Sequence, residues 1–274
     1  LATTWEEFGR VWYKELVEDN VPVSVETINE IKELTKGIED PIEKAKIIYN
    51  YVQSKTRYVS IQLGIGSWKP MLVNDVDKLG YGDCKALTNY TRILLENVGV
   101  PSYFTVIYGG SNKRDFDKDF VSIQGNHVIL GIPVNNEMQW MECTSQNMPF
   151  NFQANDTDDR LALLVKPEGG QLVRTLVYEP NKNKQETIGG YILQPDGSIT
   201  GKLTIVSSGF QYQNKYELEN QSLLDREKFY KNYFNAIPNL KIEKVQFQNN
   251  KEQIQFTEVI ELSAVSYASK NGNR

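Results

Sequence analysis

The spacing of apolar positions divides the chain into a helical first third and a strand-rich remainder. Over residues 3–18, Trp5, Phe8, Trp12, Tyr13 and Leu16 recur at three- and four-residue steps, which predicts an amphipathic helix. Residues 24–36 repeat the pattern with Ile28, Ile31 and Leu34. Asp40-Pro41 supplies an N-cap and a first helical residue for a third helix carrying Ile42, Ala45, Ile48, Tyr49 and Val52. These stripes read as core. Residues 58–63 read as a short strand, and residues 64–70 as a loop holding Trp68.

A further helix starts at Cys84. Leu87, Thr88, Thr91 and Leu95 share one face and Leu94 and Val98 extend it; Asp83 is placed as N-cap, Gly99 just past the end, and Pro101 beyond. Strands are expected over 103–108, 126–132 and 137–143, the last two joined by a hairpin at Pro133-Val134-Asn135-Asn136. Between the first two lies a long polar loop, 109–125, whose charges suit a solvated surface; a loop of that length is also a candidate to border a cleft. Two more strands, 161–165 and 171–177, flank Pro167-Glu168-Gly169-Gly170.

A polar connector at 179–184 then separates a second module. Its pattern is a hairpin (188–193 with 199–206), a helix opened by Ser222 with Asp225 at the capping-box position, and a hairpin (241–247 with 253–262). The expected fold class is α+β: a core domain over 1–178 and a smaller β-rich module over 185–274, cut short after its last strand. Starting at Leu1 rather than Met, the chain is expected to be a processed or excised piece.

Composition narrows the chemistry. Forty per cent hydrophobic residues argue for packed cores, and a net charge of -5 without a basic stripe gives no reason to expect nucleic acid. No apolar run reaches the length of a membrane span. Two cysteines and one histidine cannot assemble a zinc site of the usual four ligands, no dense acidic loop suits calcium, and neither a phosphate loop nor a dinucleotide fingerprint is present. No metal or cofactor is expected. A Cys84–Cys143 disulfide is possible on count alone.

One constellation stands out. A cysteine on the first turn of a helix sits among unpaired backbone N–H groups at the positive end of the helix dipole, which favours the reactive thiolate and offers donors to an oxyanion. A buried cysteine acting as a small hydrophobe has the same local pattern. If Val134 and Asn135 centre the hairpin turn, His127 lies directly across from Glu142, with Cβ atoms ~4.5–5.5 Å apart. That is a geometry in which a carboxylate orients an imidazole. The same alternation turns Cys143 away from His127, against the disulfide. Nucleophile, base and orienting acid are the parts that thiol catalysis needs.

These residues resemble the transglutaminase-like core of the papain-type superfamily. Arg57-Tyr58-Val59-Ser60-Ile61-Gln62-Leu63-Gly64 followed by Tyr81-Gly82-Asp83-Cys84-Lys85 is similar to the bacterial transglutaminase-like proteins of Bacteroidetes, over roughly residues 1–178. The resemblance implies Cys84 as nucleophile, His127 as base and Glu142 as the acidic partner, with Gln62 and Trp68 as cleft or oxyanion candidates. It departs from the family pattern at Glu142-Cys143-Thr144, where Asp-Pro-Thr is usual. It further implies a peptide or protein amide as substrate, acyl transfer through a thioester, a periplasmic, cell-envelope or extracellular setting, and an additional N-terminal β-rich domain. Two classes follow: a cysteine peptidase, amidase or acyltransferase, and a catalytically idle scaffold retaining the same core.

Overall fold

The computed structural model describes residues 2–18, 21–61 and 64–269. The chain divides into two compact units, Leu1–Val177 and Tyr178–Arg274. Both combine helices with an antiparallel sheet, and the fold is α+β.

The first unit opens with α1 (Trp5–Trp12), which continues as a π-helical turn over Tyr13–Val17 rather than as one regular helix to residue 18. Next come α2 (Val25–Leu34) and α3 (Pro41–Lys55), capped as their sequences predict: Ser24 accepts from the Thr27 N–H and Asp40 from the Ile42 N–H. The strand expected over 58–63 is confined to β1 (Arg57–Tyr58); residues 59–61 are not strand, and 62–63 lie outside the described residues. A short helix that the pattern does not announce, α4 (Val73–Leu79), leads to β2 (Tyr81–Gly82), which pairs with β1 in parallel. Helix α5 (Cys84–Asn97) follows at once.

Five strands form the sheet: β3 (Tyr103–Ile107), β4 (His127–Val134), β5 (Glu137–Met141), β6 (Leu161–Lys166) and β7 (Gly169–Arg174), in the order β5-β4-β3-β6-β7. One face packs on α5. Its Leu87, Tyr90, Leu94 and Leu95 meet Leu130, Ile132 and Met141 from the sheet, and Ile48, Tyr49 and Val52 of α3 complete the same core. Along the sheet Phe104, Val106, Val128 and Leu163 are covered by Trp5, Phe8, Trp12 and Leu16.

The β4–β5 register corrects the expected one. Val134 pairs with Glu137, so Asn135 and Asn136 form the turn, with φ of 52° and 64°. Both central residues of such a turn must be left-handed, which asparagine tolerates and β-branched Val134 does not. Leu130 pairs with Met141, so the next rung falls at Ile129 and Glu142. His127 is therefore the diagonal neighbour of Glu142, on the same side of the ribbon, and not its direct partner.

In the second unit β8 (Gln185–Leu193), β9 (Ile199–Ser208), β10 (Leu240–Asn250) and β11 (Gln255–Ala264) form a sheet in the order β10-β11-β9-β8. A one-turn helix, α6 (Phe210–Gln213), and the longer α7 (Leu223–Tyr233) lie between β9 and β10. Ser222 caps α7 by accepting from the Asp225 N–H and donating to its carboxylate. Tyr230 of α7 packs on Leu203, Ile205, Ile260 and Leu262. Among the described residues no helix is long and apolar enough to cross a membrane, and no His/Cys/Asp/Glu group is arranged to hold a metal ion.

Candidate active site

Cys84 is the first residue of α5, and its position is fixed from both sides. Upstream, β1 and β2 pair, with the Val59 N–H donating to the Gly82 carbonyl at 2.9 Å. Gly82 is required by close approach: a Cβ there would stand 2.8 Å from the Ala86 Cβ. Downstream, the Asp83 carboxylate accepts from the Ala86 N–H at 3.0 Å and its carbonyl from the Leu87 N–H at 2.9 Å. The N–H groups of Cys84 and Lys85 thus open the helix ahead of the side-chain cap. Lys85 is ion-paired with Asp83, so its charge is spent within the motif.

His127 opens β4, and Thr88, one turn into α5, donates to the Val128 carbonyl at 3.4 Å. This contact brings the helix start to the strand start. The His127 Nε2 lies 2.7 Å from Glu142 Oε2. The Cys84 side chain is close enough to act on the imidazole, and the two residues line the same cleft. Cys84, His127 and Glu142 are therefore brought together in a connected row. Both cysteines are free, and Cys143 is buried on the other side, where burial pushes its thiol up to about 12.

Glu142 is held from behind. The Thr144 N–H donates to its Oε1 at 2.9 Å, and the Thr144 hydroxyl donates to the same oxygen. The Tyr49 hydroxyl of α3 lies 3.0 Å from the Glu142 carbonyl oxygen and 3.1 Å from that of Met148. Gln53 Nε2 donates to the Ser145 and Met148 carbonyls. Helix α3 thus clamps the segment that carries the acid.

The long loop over 109–125 is pinned at its base next to His127. Asn126 accepts from the Gly109 N–H at 2.6 Å and donates to its carbonyl at 3.0 Å. A Cβ on Gly109 would stand 2.9 Å from the His127 Cβ, so the bare backbone lets the loop lie against the imidazole stem. Buried Arg160 donates to the Tyr108 carbonyl at 2.6 Å, and Trp5 Nε1 to the Lys118 carbonyl at 3.0 Å. The charged loop is anchored, not merely solvated.

Electrostatics follow from these contacts. Burial works against a charged His127, but the Glu142 carboxylate and the contact with Cys84 outweigh it and lift the imidazole well above its ordinary value. Burial likewise opposes ionised Glu142; the imidazolium charge and the hydrogen bonds from His127 and Thr144 overcome it and lower the carboxyl. Residue and partner are each the reason the other stays charged.

The row opens on a cleft of about 260 Å³ lined by Trp12, Leu16, Trp68, Cys84, Phe104 and His127 among others. Trp68, expected in a loop, is half exposed and stands on this wall. Gln62 lies outside the described residues. Thr144, Tyr49, Asn126 and Gly109 escape sequence reasoning. Only Thr144, a hydroxyl two residues past an acid, carries a local signal.

Residues 29–145 match the sequence model of the transglutaminase-like superfamily. Comparison with curated proteins gives no match. Among solved structures, the chain is similar to a candidate protease from Parabacteroides distasonis at 10% identity and a TM-score of 0.47, over 94% of this chain and 52% of that one. It is also similar to a candidate cysteine protease from Cytophaga hutchinsonii at 14% identity and a TM-score of 0.33, over 49% of this chain and 48% of that one. The chain thus spans about half the length of each.

Proposed function

We propose that this protein is a thiol-dependent acyl-transfer enzyme, acting as a peptidase or amidase on a peptide or protein amide. The observation that carries the reading is the connected row of Cys84, His127 and Glu142 opening on a cleft. In the reactive form the Cys84 proton is already held by His127, so that a thiolate faces an imidazolium. The sulfur attacks the amide carbonyl to form the C–S bond, and the carbonyl π pair moves to oxygen. The N–H at the start of α5 receives that oxyanion, with Trp68 as the further candidate on the wall. Collapse expels the amine, which leaves with the proton from His127. Water, deprotonated by His127, then attacks the thioester and releases the acid. Glu142 holds the imidazole in orientation and stabilises its charged form. A periplasmic or cell-envelope setting belongs to the same proposal and rests on the family resemblance.

The test is to trap the acyl-enzyme. With p-nitrophenyl acetate, a burst of nitrophenolate should accompany transfer of one acetyl group to Cys84, located by peptide mass spectrometry, and both should vanish in Cys84→Ala. Acetylation elsewhere, or a burst that survives Cys84→Ala, would leave the idle-scaffold reading in its place.

A further inference from the structure

We propose that the cleft beside Cys84 is a subsite for one large apolar side chain of the acyl donor, so that the preferred substrate carries a phenylalanine- or leucine-like residue there rather than glutamine or a charged stem-peptide residue. This rests on the acyl-transfer reading above and names its substrate class.

The walls carry the inference. Trp12 and Leu16 from the N-terminal helical segment, Phe104 and Val106 of β3, Val128 of β4 and Ile123 of the anchored loop surround the space next to the sulfur. Trp12 and Leu16 lie outside the 29–145 segment that matches the superfamily. A cleft of about 260 Å³ is smaller than the ~300–1,000 Å³ typical of whole small-molecule sites. It suits a single side chain with its flanking amide.

The polar groups on the walls are largely committed. Lys85 is neutralised by Asp83 and His127 by Glu142, which leaves no counter-charge for a substrate carboxylate. Asn126 spends both ends of its amide on the Gly109 backbone. Cys84 and His127 are the reacting groups, and Ser67 contributes one short hydroxyl. A site that reads a glutamine amide needs convergent donors and acceptors, because a buried polar group left unpaired is penalised. An apolar side chain is penalised by none of these groups, and it gains contact with six apolar ones.

Binding to the Cys84→Ala protein tests the subsite without any chemistry. N-acetyl-phenylalaninamide and N-acetyl-glutamine amide are titrated by ligand-observed NMR. The phenylalanine compound should bind at least about tenfold more tightly. Ile123→Lys, at a residue 48% exposed and therefore tolerant of change, should erase that preference. Equal affinities, a preference for the glutamine compound, or a preference untouched by Ile123→Lys would overturn the subsite. None of those results bears on whether Cys84 forms an acyl-enzyme, and a failed acetylation of Cys84 leaves this measurement fully interpretable.

Discussion

The two units each contain a buried pair of opposite charge, and they differ in what surrounds it. In the second unit Lys215 Nζ lies 3.0 Å from Glu258 Oε2, with side chains 3% and 0% exposed. The Tyr230 hydroxyl donates to Glu258 at 2.6 Å, and the ammonium sits 4.3 Å from the Tyr233 ring centroid and 4.8 Å from that of Phe229. Every face of that pair meets protein. In the first unit the His127–Glu142 pair is 21% and 9% exposed, its imidazole reaches a thiol, and the thiol lines a cleft. Buried charge by itself therefore marks no site, since structural ion pairs perturb their surroundings as strongly. Access and a nucleophile make the difference.

That contrast can be broken at either end. The largest effect is expected in the sealed cluster: Glu258→Ala strands the Lys215 ammonium among aromatic rings and should cost about 3–5 kcal/mol of unfolding free energy. Denaturant melts followed by circular dichroism would show it. A loss under ~1 kcal/mol would mean that the cluster is not the structural keystone it resembles.

At the open site, Glu142→Gln should slow alkylation of Cys84 at neutral pH by about a hundredfold, with the imidazole left in place but without its charge partner. The same variant carries a pH signature. His127 is raised on folding, so its contribution to stability is complete below about pH 6.5 and fades as pH climbs through the raised value. Glu142 is lowered, so its contribution is complete above about pH 4.5 and fades as pH falls through the lowered value. The stability gap between wild type and Glu142→Gln should therefore be widest between about pH 4.5 and 6.5 and narrow on both sides. A gap that stays constant across that range would separate the carboxylate from the imidazole. The smallest effect belongs to Thr144→Val, which keeps the N–H to Glu142 and loses the hydroxyl. A drop of about fivefold in alkylation rate, equivalent to ~1 kcal/mol, is expected, and Thr144→Ser should restore it.

Much of this arrangement is legible in the residues. Caps are the clearest case, because Ser24, Asp40, Asp83 and Ser222 act on N–H groups two or three positions away. The α+β class and the hairpins follow from periodicity in the same local way. Helix α4 was hidden because it has seven residues, no side-chain cap on Leu72, and two buried apolar positions, Val73 and Val76. The β4–β5 turn lies one residue beyond its expected place, where two consecutive asparagines carry the left-handed chemistry it needs. Even so, His127 and Glu142 meet, since the register moved by an even step and kept their common face. Trp12 and Leu16 show the deeper limit. Their spacing marks the inward face of a helix, but not that a cleft lies across from part of that face.

Alkylation of Cys84 by iodoacetamide across pH, in wild type and His127→Ala, tests the central claim most directly. The connected row predicts fast alkylation well below pH ~8 in wild type, and in His127→Ala a fall of ~10²-fold or more at neutral pH that is recovered as pH rises. Identical profiles for the two proteins would contradict it.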